Sequence, residues 1–213
     1  MTKLLFKDLT LAAHPTMYVF VLLGCLVIVP SYPLTVIFMF GCLAQYITLT
    51  YSRETNDNWF TAVLPVTKRE VVRARFFLAA LAQTVQLFVS VPFAALRCML
   101  NIPNNAVGID ANVAWYGIGF IIFAVFDLVF FPVYYRTGYK SGKAFILAMI
   151  PVVIMMAASE AASHFPALGF LDSTAPCDLV RQIPLLITGI VIYAAAMFTA
   201  CRISENRFEK VDL

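Results

Sequence analysis

Charge is what this chain has least of. Asp, Glu, Lys and Arg make up 13% of its 213 residues, against about 25% in a soluble domain. With 62% hydrophobic residues, that scarcity excludes an ordinary soluble globular protein. Histidine is nearly absent, with His14 and His164 the only two. Without a His-Glu-x-x-His pair or a Gly-x-Ser-x-Gly elbow, metalloprotease and serine-hydrolase chemistry has no residues to run on. No Gly-x-x-x-x-Gly-Lys-Ser/Thr loop is present to cradle a nucleotide's phosphates. The five cysteines form no framework. Cys25, Cys42 and Cys201 fall in apolar runs, where a thiol behaves as a small hydrophobe. Cys98 and Cys177 fall in loops expected on one side of the membrane, where a disulfide stays open.

Long apolar runs take the place of charge. A helix needs roughly 20 apolar residues to cross a bilayer, and only helices or closed barrels satisfy their backbone there. An all-α fold of six spans is predicted: about Thr16–Val29, Leu34–Thr50, Phe76–Leu96, Val113–Tyr135, Ala144–Ala162 and Ile183–Cys201. Pro30-Ser31-Tyr32-Pro33 separates the first two. Read as one kinked helix they would run about 50 Å at ~1.5 Å per residue, too long for a hydrocarbon core of about 30 Å. A hairpin is expected. Lys3 and Lys7 before the first apolar run resemble a signal peptide, but no small-residue cleavage site precedes Pro30, so an uncleaved span is expected.

The cations test that count. With six spans and the N-terminus inside, thirteen of the fifteen Lys and Arg residues fall on the inner side, leaving Arg97 and Arg181 outside. Such a bias sets orientation and puts both termini in the cytoplasm. The whole chain, 1–213, is expected to be one membrane domain. Residues 1–15 carry Leu4, Leu5, Leu9 and Ala12 between Lys3, Lys7, Thr10 and His14. That period suits a helix lying flat in the membrane interface. His14 reads as part of its polar face.

The most informative segment is the polar stretch 52–75. Trp59, Phe60, Val63 and Leu64 follow the spacing of one helical face, predicting a helix over Arg53–Leu64 that Pro65 closes. Thr67 and Glu70 form a capping box that starts a second helix, which carries Lys68, Arg69, Arg73 and Arg75 into the third span. The basic residues suit anionic headgroups, and Trp59 suits an interface. An aromatic stripe in a polar loop also suits docking to a soluble partner.

The run Tyr51…Glu54…Asn58-Trp59…Leu64-Pro65-Val66-Thr67-Lys68-Arg69-Glu70-Val71-Val72…Ala74-Arg75 resembles the segment after the second span in small bacterial permeases of the ATP-binding-cassette transporter type-two class. Phe131-Pro132-Val133-Tyr134-Tyr135-Arg136-Thr137-Gly138-Tyr139-Lys140 resembles a second segment of those proteins, at the inner end of the fourth span. Arg136-Thr137 departs from their usual Lys-Phe. The resemblance implies a permease subunit of an ATP-driven exporter in the bacterial inner membrane. Its partners would be separate ATPase subunits, a second permease that is identical or paralogous, and membrane lipids, with no nucleic acid. ATP and Mg would bind the ATPase, and no cofactor would bind this chain. Trp59, Phe60, Val63, Leu64, Lys68 and Arg69 would dock the ATPase through a coupling helix. Cargo would be a peptide, an antibiotic or another amphipathic molecule.

Asp127 sits midway along the fourth span, where an acid costs about 2.5–3.5 kcal/mol to insert. It must face the bundle interior or water, as a substrate-path or gating group or as a bond between helices. Glu160 and His164 share a helix face, but no further His or Cys completes a metal site. The apolar loop 163–182 reads either as a membrane-surface loop or as the re-entrant outer helix that the resemblance implies. Phe120, Phe123, Phe126 and Phe130 read either as a lining for cargo or as a lipid-facing stripe. Three other classes stay open: a stand-alone secondary transporter, an accessory or immunity membrane protein, and a membrane enzyme built on Asp127 and Glu160. Co-purification of an ATPase encoded nearby separates the permease from all three.

Overall fold

In the computed structural model, residues 2–100, 102, 103, 105 and 108–210 are described. Among them all regular structure is helical. α1 (Thr2–Lys7) runs into a π-helical turn at Asp8–Ala12. α2 (Pro15–Leu22) continues as a 3-10 helix over Leu23–Ile28. Then follow α3 (Val36–Glu54), α4 (Asp57–Val63), α5 (Lys68–Met99), α6 (Val113–Arg136), α7 (Ser141–Ser163) and α8 (Pro176–Phe208).

By length and apolarity, α5, α6, α7 and α8 can each cross a membrane. A fifth span results if Leu4–Leu11 and Pro15–Ile28, bent by 89°, count together. Six spans were expected, and the two N-terminal ones account for the difference. α2 has eight residues and its 3-10 extension six, which reach about 24 Å at rises of ~1.5 and ~2.0 Å. α3 is 19 residues long, but Gln45, Thr48, Ser52, Arg53 and Glu54 make its second half polar. The helices alternate in direction. Arg73 near the start of α5 pairs with Glu205 near the end of α8. Arg97 at the other end of α5 donates to the carbonyls of Val27 and Val29. The molecule therefore has a basic end, carrying both termini, and a far end.

Local chemistry sets the boundaries. His14 N-caps α2, its Nδ1 accepting from the Thr16 amide at 3.1 Å. Its ring meets Tyr51 edge-on. The single helix expected over Arg53–Leu64 is two. α3 runs on to Glu54, and Asn56 at φ 55° turns the chain before α4. Asn tolerates this left-handed conformation better than most residues. Thr67 and Glu70 form the expected capping box, with both bonds present. At the end of α6, Gly138 at φ +61° sits at C′, and the Tyr139 amide donates to the Tyr134 carbonyl at 3.1 Å. The Tyr134 and Tyr139 rings meet at 5.3 Å. This is a Schellman motif with its hydrophobic contact. It gives a local reason for the Gly-Tyr pair in the second resembling segment.

The core lies between α6 and the helices around it. Phe123, Phe126 and Phe130 are fully buried, and Phe120 packs on Tyr193 at 5.5 Å. Phe123, Phe126 and Phe130 are therefore core residues rather than a lipid-facing stripe, and Phe120 is partly buried at the edge of the same core. Gly117 and Gly189 let α6 and α8 approach backbone to backbone, as small residues do between membrane helices. The outside is apolar too. Phe77, Phe88, Ile146, Ile154, Val191 and Phe198 are exposed, as suits a hydrocarbon solvent. Cys98 and Cys177 are exposed free thiols with no bond between them.

Candidate functional site

α4 is amphipathic with its polar side inward. Asp57 and Thr61, one turn apart, are buried, while Phe60 is 47% and Val63 68% exposed. Leu64 is half-buried. The side chain of Trp59 lies outside the described residues. Of the expected apolar stripe, Phe60 and Val63 therefore form the outward face. The reason for the inversion lies beneath. Lys7 donates to both carboxylate oxygens of Asp57, at 2.9 and 3.1 Å, and to Thr61 Oγ1 at 2.7 Å. Lys7 also pairs with Asp8 at 2.9 Å. Arg75 donates through Nη2 to Asp57 and, at 2.7 Å, to Ser52 Oγ. Its Nε lies 3.6 Å from Asp8. Two cations and two anions thus close a buried, neutral quartet joining α1, the turn after it, α4 and α5, with Ser52 of α3 attached.

Lys68, Arg69 and Arg73 at the start of α5 have partners at the C-terminal end of α8. Arg69 pairs with Glu209 at 2.6 Å, both half exposed. That hydrogen bond holds the Glu209 carboxyl below its ordinary range. Lys68 lies 5.6 Å above the Phe208 ring. Arg207 donates to the Pro132 carbonyl at 2.8 Å. Lys68 and Arg69 are therefore tied to the C-terminal end of α8.

Asp127 is fully buried midway along α6. Gln83 of α5 donates to its Oδ1 at 3.1 Å, and Tyr193 of α8 donates to Gln83 at 2.6 Å. Three helices meet in this chain of bonds. Asp127 Oδ2 has no hydrogen-bond partner among the described residues.

Polar residues also close the far end. Buried Arg97 donates to Asp110 at 3.0 Å and to the Pro103 carbonyl at 2.9 Å. Asp110 donates its amide to Asp172 at 2.8 Å. Burial pushes both carboxyls up, against the pull of Arg97 on Asp110 and of the Asp110 amide on Asp172. Glu160 accepts from Thr35 at 2.5 Å and from the Ile109 amide at 3.0 Å. That pins the loop before α6 to α7, and no metal-holding cluster occurs among the described residues. A cavity of about 350 Å³ lies beside Arg97, Cys98, Asp110 and Thr174.

Sequence reasoning missed Asp8 and Asp57, Gln83 and Tyr193, and the Arg97–Asp110 pair. Two of these left signals. Asp57 and Thr61 are spaced one helical turn apart, opposite the apolar stripe. Gln83 and Gln86 are amides inside an apolar run.

Long helices that are apolar outside as well as inside, with polar clusters at both ends and one in the middle, define a multi-pass membrane protein. The family model for ABC-2 family transporter proteins matches residues 3–205, and the chain belongs to that family. Members are ATP-binding-cassette permeases, membrane subunits that are generally non-catalytic, and membership implies association with an ATPase of that class. No curated protein and no solved structure matches the chain.

Proposed function

We propose that this protein is the permease subunit of an ATP-driven exporter and that α4 is the helix through which the ATPase grips it. The observation that carries the reading is the inversion of α4. A short helix that buries Asp57 and Thr61 and holds Phe60 and Val63 outward is built to meet a hydrophobic groove. Trp59 and Leu64 extend the contact, and Lys68 and Arg69 flank it. On this reading the chain crosses the inner membrane of a bacterial cell six times, with α2 and α3 as a short hairpin and both termini cytoplasmic. α1 lies in the inner interface, and the loop 163–182 lies outside, its 3-10 turn dipping into the membrane. A second permease, identical or paralogous, completes the path for an amphipathic cargo. ATP and Mg belong to the ATPase.

Phe60→Ala combined with Val63→Ala should weaken ATPase binding by about tenfold or more, since a central aromatic anchor commonly supplies upwards of ~1–2 kcal/mol. Titration of the purified permease in nanodiscs with its cognate ATPase measures this. Unchanged affinity removes α4 from the interface.

Asp127 is assigned a gating role, because its bonds join the three helices whose relative shift would open a path. Asp127→Asn keeps the bond from Gln83 and removes the capacity for charge. It is expected to stop ATP-driven transport while moving the melting temperature by only a few degrees. Normal transport would leave Asp127 as a plain bond between helices. The unpartnered Oδ2 also favours a second reading, a stand-alone proton- or cation-coupled transporter. Uptake into ATP-free vesicles driven by an imposed ion gradient would establish that alternative.

A further inference from the structure

We infer that Lys7, Asp8, Asp57 and Arg75 form a rigid joint, so that displacing α4 carries α1 and the start of α5 with it, Asp57 being the positioning residue on α4. The inference rests on α4 being the docking helix and goes on to say where its motion travels. The geometry is one of shared atoms. Asp57 Oδ2 accepts from Lys7, Ser52 and Arg75 together. α4 therefore cannot shift without either breaking bonds to α1, α3 and α5 or taking their residues with it.

Breaking is the expensive course. Lys7 is the most exposed of the four side chains, at 11%, and the others are at 5% or less. Water therefore has little access to replace a lost partner, and separated charges would be left bare in a poorly polarisable setting. Close-packed, discrete arrangements move as units rather than stretching. The N-terminal segment is free on its other side, where Phe6 and Leu11 are exposed. Apolar residues held outward beside a buried charge cluster suit a helix sliding in the membrane interface. By this route ATPase closure moves the interfacial helix as well as α5.

The test uses the complete permease–ATPase complex in nanodiscs, with all five native cysteines replaced and a fluorophore on Phe6→Cys. ATP should shift the fluorophore's emission while the quartet is intact. Asp57→Leu with Arg75→Met removes one anion and one cation together and leaves Phe60 and Val63 in place. ATPase binding should then persist while the ATP-driven shift falls at least about fivefold. A further version replaces the Lys7–Thr61 bond by a covalent bridge, with Lys7→Cys and Thr61→Cys joined by a short bis-methanethiosulfonate. In it Asp8→Asn removes the anion that Lys7 would leave unpaired, and a fluorescent non-canonical residue at position 6 takes the place of the labelled Phe6→Cys. That bridge should preserve the shift. A shift of equal size in the double variant, no shift with the quartet intact, or a shift abolished by the bridge would each overturn the joint. Should the double variant fail to fold, the bridge alone decides. Failure of the ATPase to bind even the unaltered quartet would instead sink the docking assignment.

Discussion

Arg75→Met should cost the folded protein about 3–5 kcal/mol, the penalty for leaving a buried charge without its partner. The guanidinium is 4% exposed and serves two carboxylates and a hydroxyl from one side. Without it, Asp8 and Asp57 share only Lys7, and one negative charge stays in the protein uncompensated. Met fills similar volume, so the loss would come from charge rather than from a cavity. The control is to remove both signs. Asp57→Leu added to Arg75→Met leaves Lys7 and Asp8 as a neutral pair, and most of the stability should return, because apolar replacement of a buried pair is often neutral. Denaturant unfolding in mild detergent measures both variants. A single-variant loss under about 1 kcal/mol would put Arg75 in the class of surface ion pairs.

That class is represented nearby. Arg69 and Glu209 are 52% and 43% exposed, and exposed pairs contribute about 0–1 kcal/mol. Raising the salt should loosen Arg69–Glu209 and leave the quartet almost untouched, since buried pairs are screened much less. The same end of the molecule thus holds an exposed ion pair that responds to ionic strength and four buried charges that do not.

The contrast explains how much could be read from the residues alone. Thr67, Glu70 and Pro65 act on their own neighbours, and the elements they bound were legible. The stripe of α4 was legible as a stripe. What lies beneath it was not, because Asp57 finds Lys7 fifty residues away, and local sequence does not encode that distance. Arg97 shows the same limit. By position it is a loop cation, yet the fold buries it against the carbonyls of Val27 and Val29. α6 is apolar on every side, so it offered no face to read, and such a helix belongs inside. Its phenylalanines were ambiguous until neighbouring helices covered them, Phe38 of α3 on Phe123, Phe145 of α7 on Phe126 and Tyr193 of α8 on Phe120. Asp127 was easier, because the cost of an acid in hydrocarbon leaves the interior as its only place. Its partners Gln83 and Tyr193 come from other helices and needed the fold.

Gly189→Leu should be among the most damaging apolar substitutions in the chain. A Cβ at Gly117 would lie 2.8 Å from the Leu185 carbonyl oxygen, and one at Gly189 would press still harder on the Gly117 carbonyl. These obstacles are backbone, which cannot rotate away as a side chain can. α8 would have to move off α6, and overpacking of this kind costs about 1–3 kcal/mol, occasionally more. α8 is also fixed to α6 at both ends, by Gln182 accepting from the Ala114 amide and by Arg207 on the Pro132 carbonyl. The helix would therefore bow in the middle. Tyr193 lies one turn beyond Gly189 and supplies the bond to Gln83, so the Asp127 network should come apart with the packing. Trp115, fully buried against Phe38 at 4.4 Å, reports the change. With Trp59 replaced by Phe, its emission should move to longer wavelength in Gly189→Leu and stay put in Gly142→Ala, where an added Cβ meets nothing within 4 Å. An unshifted emission with unchanged stability would mean that α6 and α8 have room between them after all. The glycine contact would then have no part in holding Asp127 to its partners.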